Sequence, residues 1–287
     1  MDEEIPAGNP PQPRVTRRGL LQLFGAFAGG AGAAGAYAFA VEPSWLEVTR
    51  NDIPVPGLPA SLEGLKIAHW TDLHIKGQTD LHENLLYALE KERPDILVLT
   101  GDMSAGQWRP GEFREFFSRV KSPGMEVVAA LGNWDYWSGA MADGLPKEYK
   151  ALGIRLLVDE GIRSKSGLEV YATDDASHQS NKRDAILKKA GEGGGHRLLL
   201  THSPYILDEF EKGNRSWALA LAGHTHGGQV YLGKITTWLP PGCGRFMKGF
   251  YKTPGGLAYV SRGLGMSILD VRFNCRPEMP LFTLTRG

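Results

Sequence analysis

The chain has 287 residues, 42% of them apolar and 22% charged, and its formal net charge is zero. That length holds one large domain with a substantial core, and the charge balance gives no electrostatic ground for nucleic-acid binding. Two cysteines, Cys243 and Cys275, are too few for a disulfide framework; they either pair in an oxidising compartment or remain as free, partly buried thiols.

Residues 1–16 are rich in proline, glycine and acidic residues and read as a disordered lead. Arg17 and Arg18 then precede an uncharged stretch, Gly19 to Val41, that ends in the small-x-small run AFA. A basic start, an apolar middle and a small-residue site make a signal pattern. Paired arginines before a weakly hydrophobic run of Ala and Gly resemble a twin-arginine export signal, whose partner is the twin-arginine machinery. The stretch 19–41 is also long enough to cross a bilayer, so an uncleaved membrane anchor is the alternative. In either case the positive-inside rule places the remainder of the chain outside the cytoplasm, in the periplasm or cell envelope. Residues 1–41 are therefore set apart from a single domain spanning 45–287.

From Trp45 onward, apolar strands alternate with helices. LKIAHWTD reads as a strand, LHENLLYALEKER as a helix ending at Pro94, and DILVLTGD as a buried strand. GEFREFFSRVKS reads as a helix stopping at Pro123, and MEVVAALGN as another strand. LEVYATDD, HRLLLTHSP, WALALAGHTH, GGQVYL, GLAYVSRGLG and PLFTLTRG continue the β-rich pattern. Near-continuous apolar strands separated by helices predict sheets covered on both faces. The fold class is α/β, with two packed sheets flanked by helices.

Five of these strands end in polar residues able to bind metal: Asp72 and His74 in TDLH, Asp102 in TGD, Asn133 in GNWD, His202 in THSP, and His224 and His226 in GHTH. Strand ends of an α/β sheet are where ligand sites form. Carboxylates, imidazoles and an amide oxygen suit Mn, Fe, Zn or Co better than a thiolate-loving metal. His69 and His196 stand beside strands but outside this pattern and read as structural.

The ordered set TDLH, TGD, GNWD, THSP and GHTHGGQV resembles the calcineurin-like metallophosphoesterase superfamily, whose fold is a four-layer α/β/β/α sandwich. The last motif, the tail YVSRGLG and the segment VEPSWLEVT resemble its branch of exported or membrane-linked phosphodiesterases, which also includes UDP-2,3-diacylglucosamine pyrophosphatases. The resemblance implies that Asp72, His74 and His226 hold one divalent metal ion. Asn133, His202 and His224 hold a second, and Asp102 bridges both. It implies hydrolysis of a phosphodiester or pyrophosphate, of a lipid or nucleotide, by attack of a metal-bridging hydroxide. Asp102, Asn133 and Asp135 are then the residues expected to act in catalysis, Asp135 by orienting a ligating histidine. A lipid A pyrophosphatase and a non-catalytic metal- or envelope-binding protein are the competing readings.

One position departs from the family pattern. Where much of the family has a histidine that protonates the leaving oxygen, this chain has Trp134. Indole offers an N–H donor with no accessible titration, so pyrophosphates and aryl-like diesters are expected to be favoured over alkyl leaving groups. His178 is a candidate replacement acid, against the plainer reading of a solvated loop residue. Residues 233–256 mix Arg245, Lys248 and Lys252 with Trp238, Phe246, Phe250 and Tyr251, a composition suited either to clamping an amphiphilic phosphate or to closing the sheet.

Overall fold

A short helix from Asp80 to Glu92 shows how the sequence sets the frame. Leu81, Leu85, Ala88 and Leu89 fall on one face and are buried, the spacing of an amphipathic helix. Thr79 and His82 cap its start through Thr79 Oγ1 and His82 Nδ1 at 2.9 Å. Arg93 turns left-handed at its end, before Pro94, which cannot continue a helix. The computed structural model describes residues 32–178, 196–209, 217–232, 235–236 and 239–287. Most of the stretch 19–41 lies outside them, and no helix of the described residues is long and apolar enough to cross a membrane. Residues 1–37 separate as one unit, and Ala38–Gly287 form the other, which carries both sheets and all five motifs.

Among the described residues the strands are β1 (Glu47–Val55), β2 (Lys66–Trp70), β3 (Ile96–Thr100), β4 (Glu126–Ala130), β5 (Arg155–Leu156), β6 (Glu160–Arg163) and β7 (Glu169–Ala172). They continue with β8 (Arg197–Leu200), β9 (Leu219–Ala222), β10 (Tyr231–Leu232), β11 (Ile235–Thr236), β12 (Gly249–Thr253), β13 (Gly256–Val260) and β14 (Glu278–Arg286). One six-stranded sheet runs β1-β14-β2-β3-β4-β5, and a second runs β12-β13-β9-β8-β7-β6. Both are mixed. In the first, β2 to β5 are parallel and β14 runs against β2. In the second, β7, β8, β9 and β13 are parallel, with β6 and β12 antiparallel at the edges.

The sheets pack face to face. Ile67, Ile96, Val98 and Val128 of the first meet Val170, Leu198, Leu200, Leu219 and Leu221 of the second in one buried cluster. On its other face the first sheet meets helices Asp80–Glu92, Pro110–Phe117 and Leu145–Ala151, through Trp70, Leu85, Phe113, Phe116 and Tyr149. Leu207, Trp217 and Phe246 cover the far face of the second sheet. The expected pair of packed sheets with flanking helices is therefore what the chain forms.

Three elements differ from the sequence reading. β1 is a nine-residue edge strand pairing in parallel with β14; it is half-exposed and contains Pro54, which an edge tolerates because one side of its backbone faces no partner. β12 takes part of the segment read as a loop. Of GGQVYL, only Tyr231–Leu232 joins a ladder, because Gly227, Gly228 and Gln229 turn left-handed. Both cysteines are buried and free.

Candidate metal centre and active site

All five motifs leave the C-terminal ends of parallel strands: TDLH after β2, TGD after β3, GNWD after β4, THSP after β8 and GHTH after β9. Because the two sheets pack face to face, these ends meet along one rim. Asp72, His74, Asp102, His224 and His226 all sit at positive φ, between 47° and 70°. Left-handed backbone is uncommon outside glycine and clusters at functional sites, where surrounding contacts over-determine it. Here loop-to-loop bonds do so: the Asp72 N–H donates to Gly101 O at 3.0 Å, and the His74 N–H to Asp102 O at 3.0 Å. Glycine makes the approach possible. A Cβ on Gly132 would lie 2.3 Å from Asp102 Oδ1, and one on Gly223 would lie 2.4 Å from Asp72 Oδ2.

Two buried groups result: Asp72, His74 and His226, and Asp102, His202 and His224. In the first, His74 Nε2 faces His226 Nε2 at 3.1 Å, and Asp72 Oδ1 is 3.3 Å from His226 Nε2. In the second, His202 Nε2 lies 3.1 Å from His224 Nδ1 and 3.1 Å from Asn133 Oδ1. Asp102 stands between the groups, with Oδ2 3.2 Å from His202 Nε2 and 3.6 Å from His74 Nε2.

The ring orientations test whether metal ions fit. His202 Nδ1 lies 2.8 Å from the Thr100 carbonyl and His224 Nε2 lies 2.7 Å from the Pro241 carbonyl. A carbonyl only accepts, so each of these nitrogens carries the proton. The opposite nitrogen of each ring, when the ring is neutral, turns a lone pair toward the centre, the arrangement a metal-ligating histidine adopts. Burial lowers His74 to about 4 and lowers His224 and His226 below the ordinary range, which keeps these rings neutral and able to coordinate. His202 differs. Burial opposes its charge, yet the Asp102 carboxylate more than offsets that and lifts it well above its ordinary value. Burial raises Asp72 to about 6. A proton at His202 and a divalent cation would compete for one place beside Asp102. The donor set fits the divalent ions expected of it.

Asp135 does a different job from the one expected. Its carboxylate accepts the backbone N–H groups of Asp102 at 3.0 Å, Met103 at 3.1 Å, Ser104 at 3.3 Å and Gly132 at 2.9 Å. It orients the strained Asp102 turn rather than a ligating histidine. The reason is positional: Asp135 is buried in the first turn of a short helix, Asn133–Trp137, that begins where β4 ends. Its bond to the Gly132 N–H is the capping-box arrangement of an acidic side chain at the third helical position. The Trp134 N–H also serves Asp102, donating to Oδ1 at 2.8 Å.

A cavity of about 810 Å³ opens over the second group, lined by Asp102, Asn133, His224, His226, Trp134 and Trp137, among others. The Trp134 indole lies beside His74 at 5.7 Å between ring centroids and leaves this cavity open. His178 is exposed and stacks on Tyr136 at 4.1 Å. It does not line the cavity, whose imidazoles among the described residues belong to His224 and His226 alone. His69 is structural as expected, buried and 2.7 Å from Thr100 Oγ1; burial alone lowers it to about 3. His196 lies outside the site.

Among the described residues of the basic-aromatic segment, Arg245 and Lys248 have partners within the protein. Arg245 is spent on Asp208, with bonds of 2.8 and 3.0 Å, and on the Lys252 carbonyl. Lys248 sits over the Tyr231 ring, and Phe246 is fully buried. Trp238 lies outside the described residues. What the segment gives the site is backbone: Pro241 orients His224, and Gly242 lines the cavity.

A sandwich of two mixed sheets thus gathers two His–carboxylate groups, each able to hold a metal ion, at parallel strand ends. The chain belongs to the calcineurin-like phosphoesterase family, whose model matches residues 65–228. As a member it is a metallophosphoesterase, a hydrolase of phosphoric esters. It is 28% identical over 291 residues to the uncharacterized metallophosphoesterase YkuE of Bacillus subtilis, covering 94% of this chain and 98% of that one. It is 27% identical to the phosphodiesterase YaeI of Escherichia coli, covering 94% and 99%. A dimetal phosphatase from Danio rerio superposes with a TM-score of 0.42 at 11% identity, over 70% of this chain and 88% of that one.

Proposed function

We propose that this metallophosphoesterase works with two divalent ions, Mn, Fe or Zn, on a phosphodiester or pyrophosphate, and does so outside the cytoplasm. The observation that carries the reading is the Asp102 carboxylate, placed between one group of ligand side chains and the other. Asp72, His74 and His226 would hold one ion, and Asn133, His202 and His224 the other, with Asp102 shared. Bound there, the ions would supply Lewis acidity toward the phosphoryl oxygens and an acidified water.

The chain's own residues do the rest. Thr100 O and Pro241 O fix two imidazoles. Asp135 fixes the Asp102 backbone, and the Trp134 backbone N–H fixes the Asp102 carboxylate. The cavity beside them admits the substrate. No described imidazole outside the ligand groups lines it, and the Trp134 indole N–H has no proton to yield at working pH. A leaving oxygen that receives no imidazole proton suits a phosphate or aryloxide. An open cavity and oriented rings also speak for turnover over a purely binding role. The extracytoplasmic placement rests on Arg17, Arg18 and the apolar stretch 19–41, which would engage the twin-arginine machinery or stay in the membrane.

Purified protein supplied with Mn²⁺ is expected to release p-nitrophenol from bis(p-nitrophenyl) phosphate, and a chelator is expected to stop it. Release that persists in the metal-stripped protein would overturn the reading.

A further inference from the structure

The main cavity continues into a second, narrower groove. This groove has a volume of about 390 Å³ and is lined by Val230, Pro240, Ile268, Leu269 and Val271, with polar residues such as Ser267 between. It shares His226, Pro240, Ser267 and Ile268 with the main cavity. A molecule held at the metal-binding groups could therefore extend into it without leaving the protein. Among the described residues, no Asp, Glu, Lys or Arg lines the groove. Asp270, between the lining residues Leu269 and Val271, pairs with Lys76 Nζ at 2.7 Å.

The groove is built. The Gln229 side chain accepts the Ser267 N–H at 2.8 Å and donates to the Leu269 carbonyl at 3.1 Å and the Val271 carbonyl at 3.4 Å. Backbone bonds from Phe273 to Gln229 and from Tyr231 to Phe273 tie the same segments together. Ile268 is held at a φ of 60°, a conformation that a β-branched residue adopts only under constraint. Thus Gln229, a polar residue of GHTHGGQV outside the candidate metal groups, shapes this wall. The result displays Ile268 at 70% and Leu269 at 64% exposure. Large apolar side chains grouped at the mouth of a cavity mark a ligand or interaction surface.

We infer that the groove takes the aliphatic chain of an amphiphilic phosphoester, whose phosphate lies at the two metal-binding groups. The inference rests on the hydrolase reading and specifies its substrate class. A sugar or nucleobase would need more polar partners than Gln229 and Ser267, which are already engaged with the backbone or each other. A methylene chain needs none.

The test is a series of p-nitrophenyl alkyl phosphodiesters, from methyl to octyl, with the Mn²⁺-loaded protein below the concentration at which the esters aggregate. The expected result is a kcat/KM that rises by up to about fourfold per methylene, the factor for burying one such group, and then levels off. Leu269→Ser should lower the octyl-to-methyl ratio at least tenfold. Ile268→Asn should do the same while relieving backbone strain, since Asn tolerates positive φ, so loss of folding is not confounding. Tyr87→Ser, on a remote exposed helix face, should keep the wild-type ratio. A flat or falling series with the methyl ester turned over would overturn the groove assignment alone, as would a rise that survives Leu269→Ser. No release from any ester would overturn the hydrolase reading and the groove with it.

Discussion

Asp102→Asn is expected to cut turnover of an aryl phosphodiester by more than about 100-fold and to weaken metal binding at both groups. Changing a partner that merely orients a metal ligand costs 10–100-fold, and Asp102 is proposed as a ligand to two ions. Its Oδ2 faces His202 and His74, while Oδ1 is committed to the Trp134 N–H. An amide can keep one acceptor oxygen toward Trp134, but then presents an NH₂ with no lone pair to the metals. The side chains are nearly isosteric, so the fold should persist. Thermal unfolding and metal titration, run beside the kinetics, separate loss of the site from loss of the protein. Turnover within tenfold of wild type would remove Asp102 from the centre of the mechanism.

The second large effect concerns Trp134. Wild-type rates are expected to fall steeply as the leaving group becomes more basic, because no described imidazole outside the candidate metal groups lines the cavity. Trp134→His should flatten that dependence and raise hydrolysis of alkyl leaving groups by about 10²-fold, the lower end of what a general acid contributes. The geometry allows it. The indole borders the cavity and lies against His74, and the backbone N–H that serves Asp102 is independent of the side chain. The measurement is kcat for diesters of graded leaving-group pKa in both proteins. A flat dependence in the wild type would mean that another acid acts.

The two proteins would also show why Asp135 remains where its expected histidine neighbour is absent. Its four backbone donors make it part of the Asp102 turn, a task independent of any acid step. That role was hard to read in the sequence, because a carboxylate beside a candidate ligand looks the same whether it serves a side chain or four amides. The seven candidate ligand positions could be expected to meet for the opposite reason. Each follows an apolar strand, and parallel strands carry their sites at their C-terminal ends. The buried strands β3 and β9 were plain from unbroken apolar runs. β1 was not, since a half-exposed edge strand containing Pro54 lacks both that run and clean alternation. Composition misled at residues 233–256. Arg245 and Lys248 look available in the sequence, but Asp208 and Tyr231 occupy them in the fold. The apolar groove drew on Ile268 and Leu269, whose meaning depends on Gln229 reaching across from another segment.

Every step proposed for this site depends on two metal ions sharing Asp102. The most direct measurement is calorimetric titration of chelator-stripped protein with Mn²⁺. Two ions should bind per chain, with turnover of bis(p-nitrophenyl) phosphate reaching its maximum as the second site fills. Saturation at one ion, or full activity with none, would contradict the shared centre.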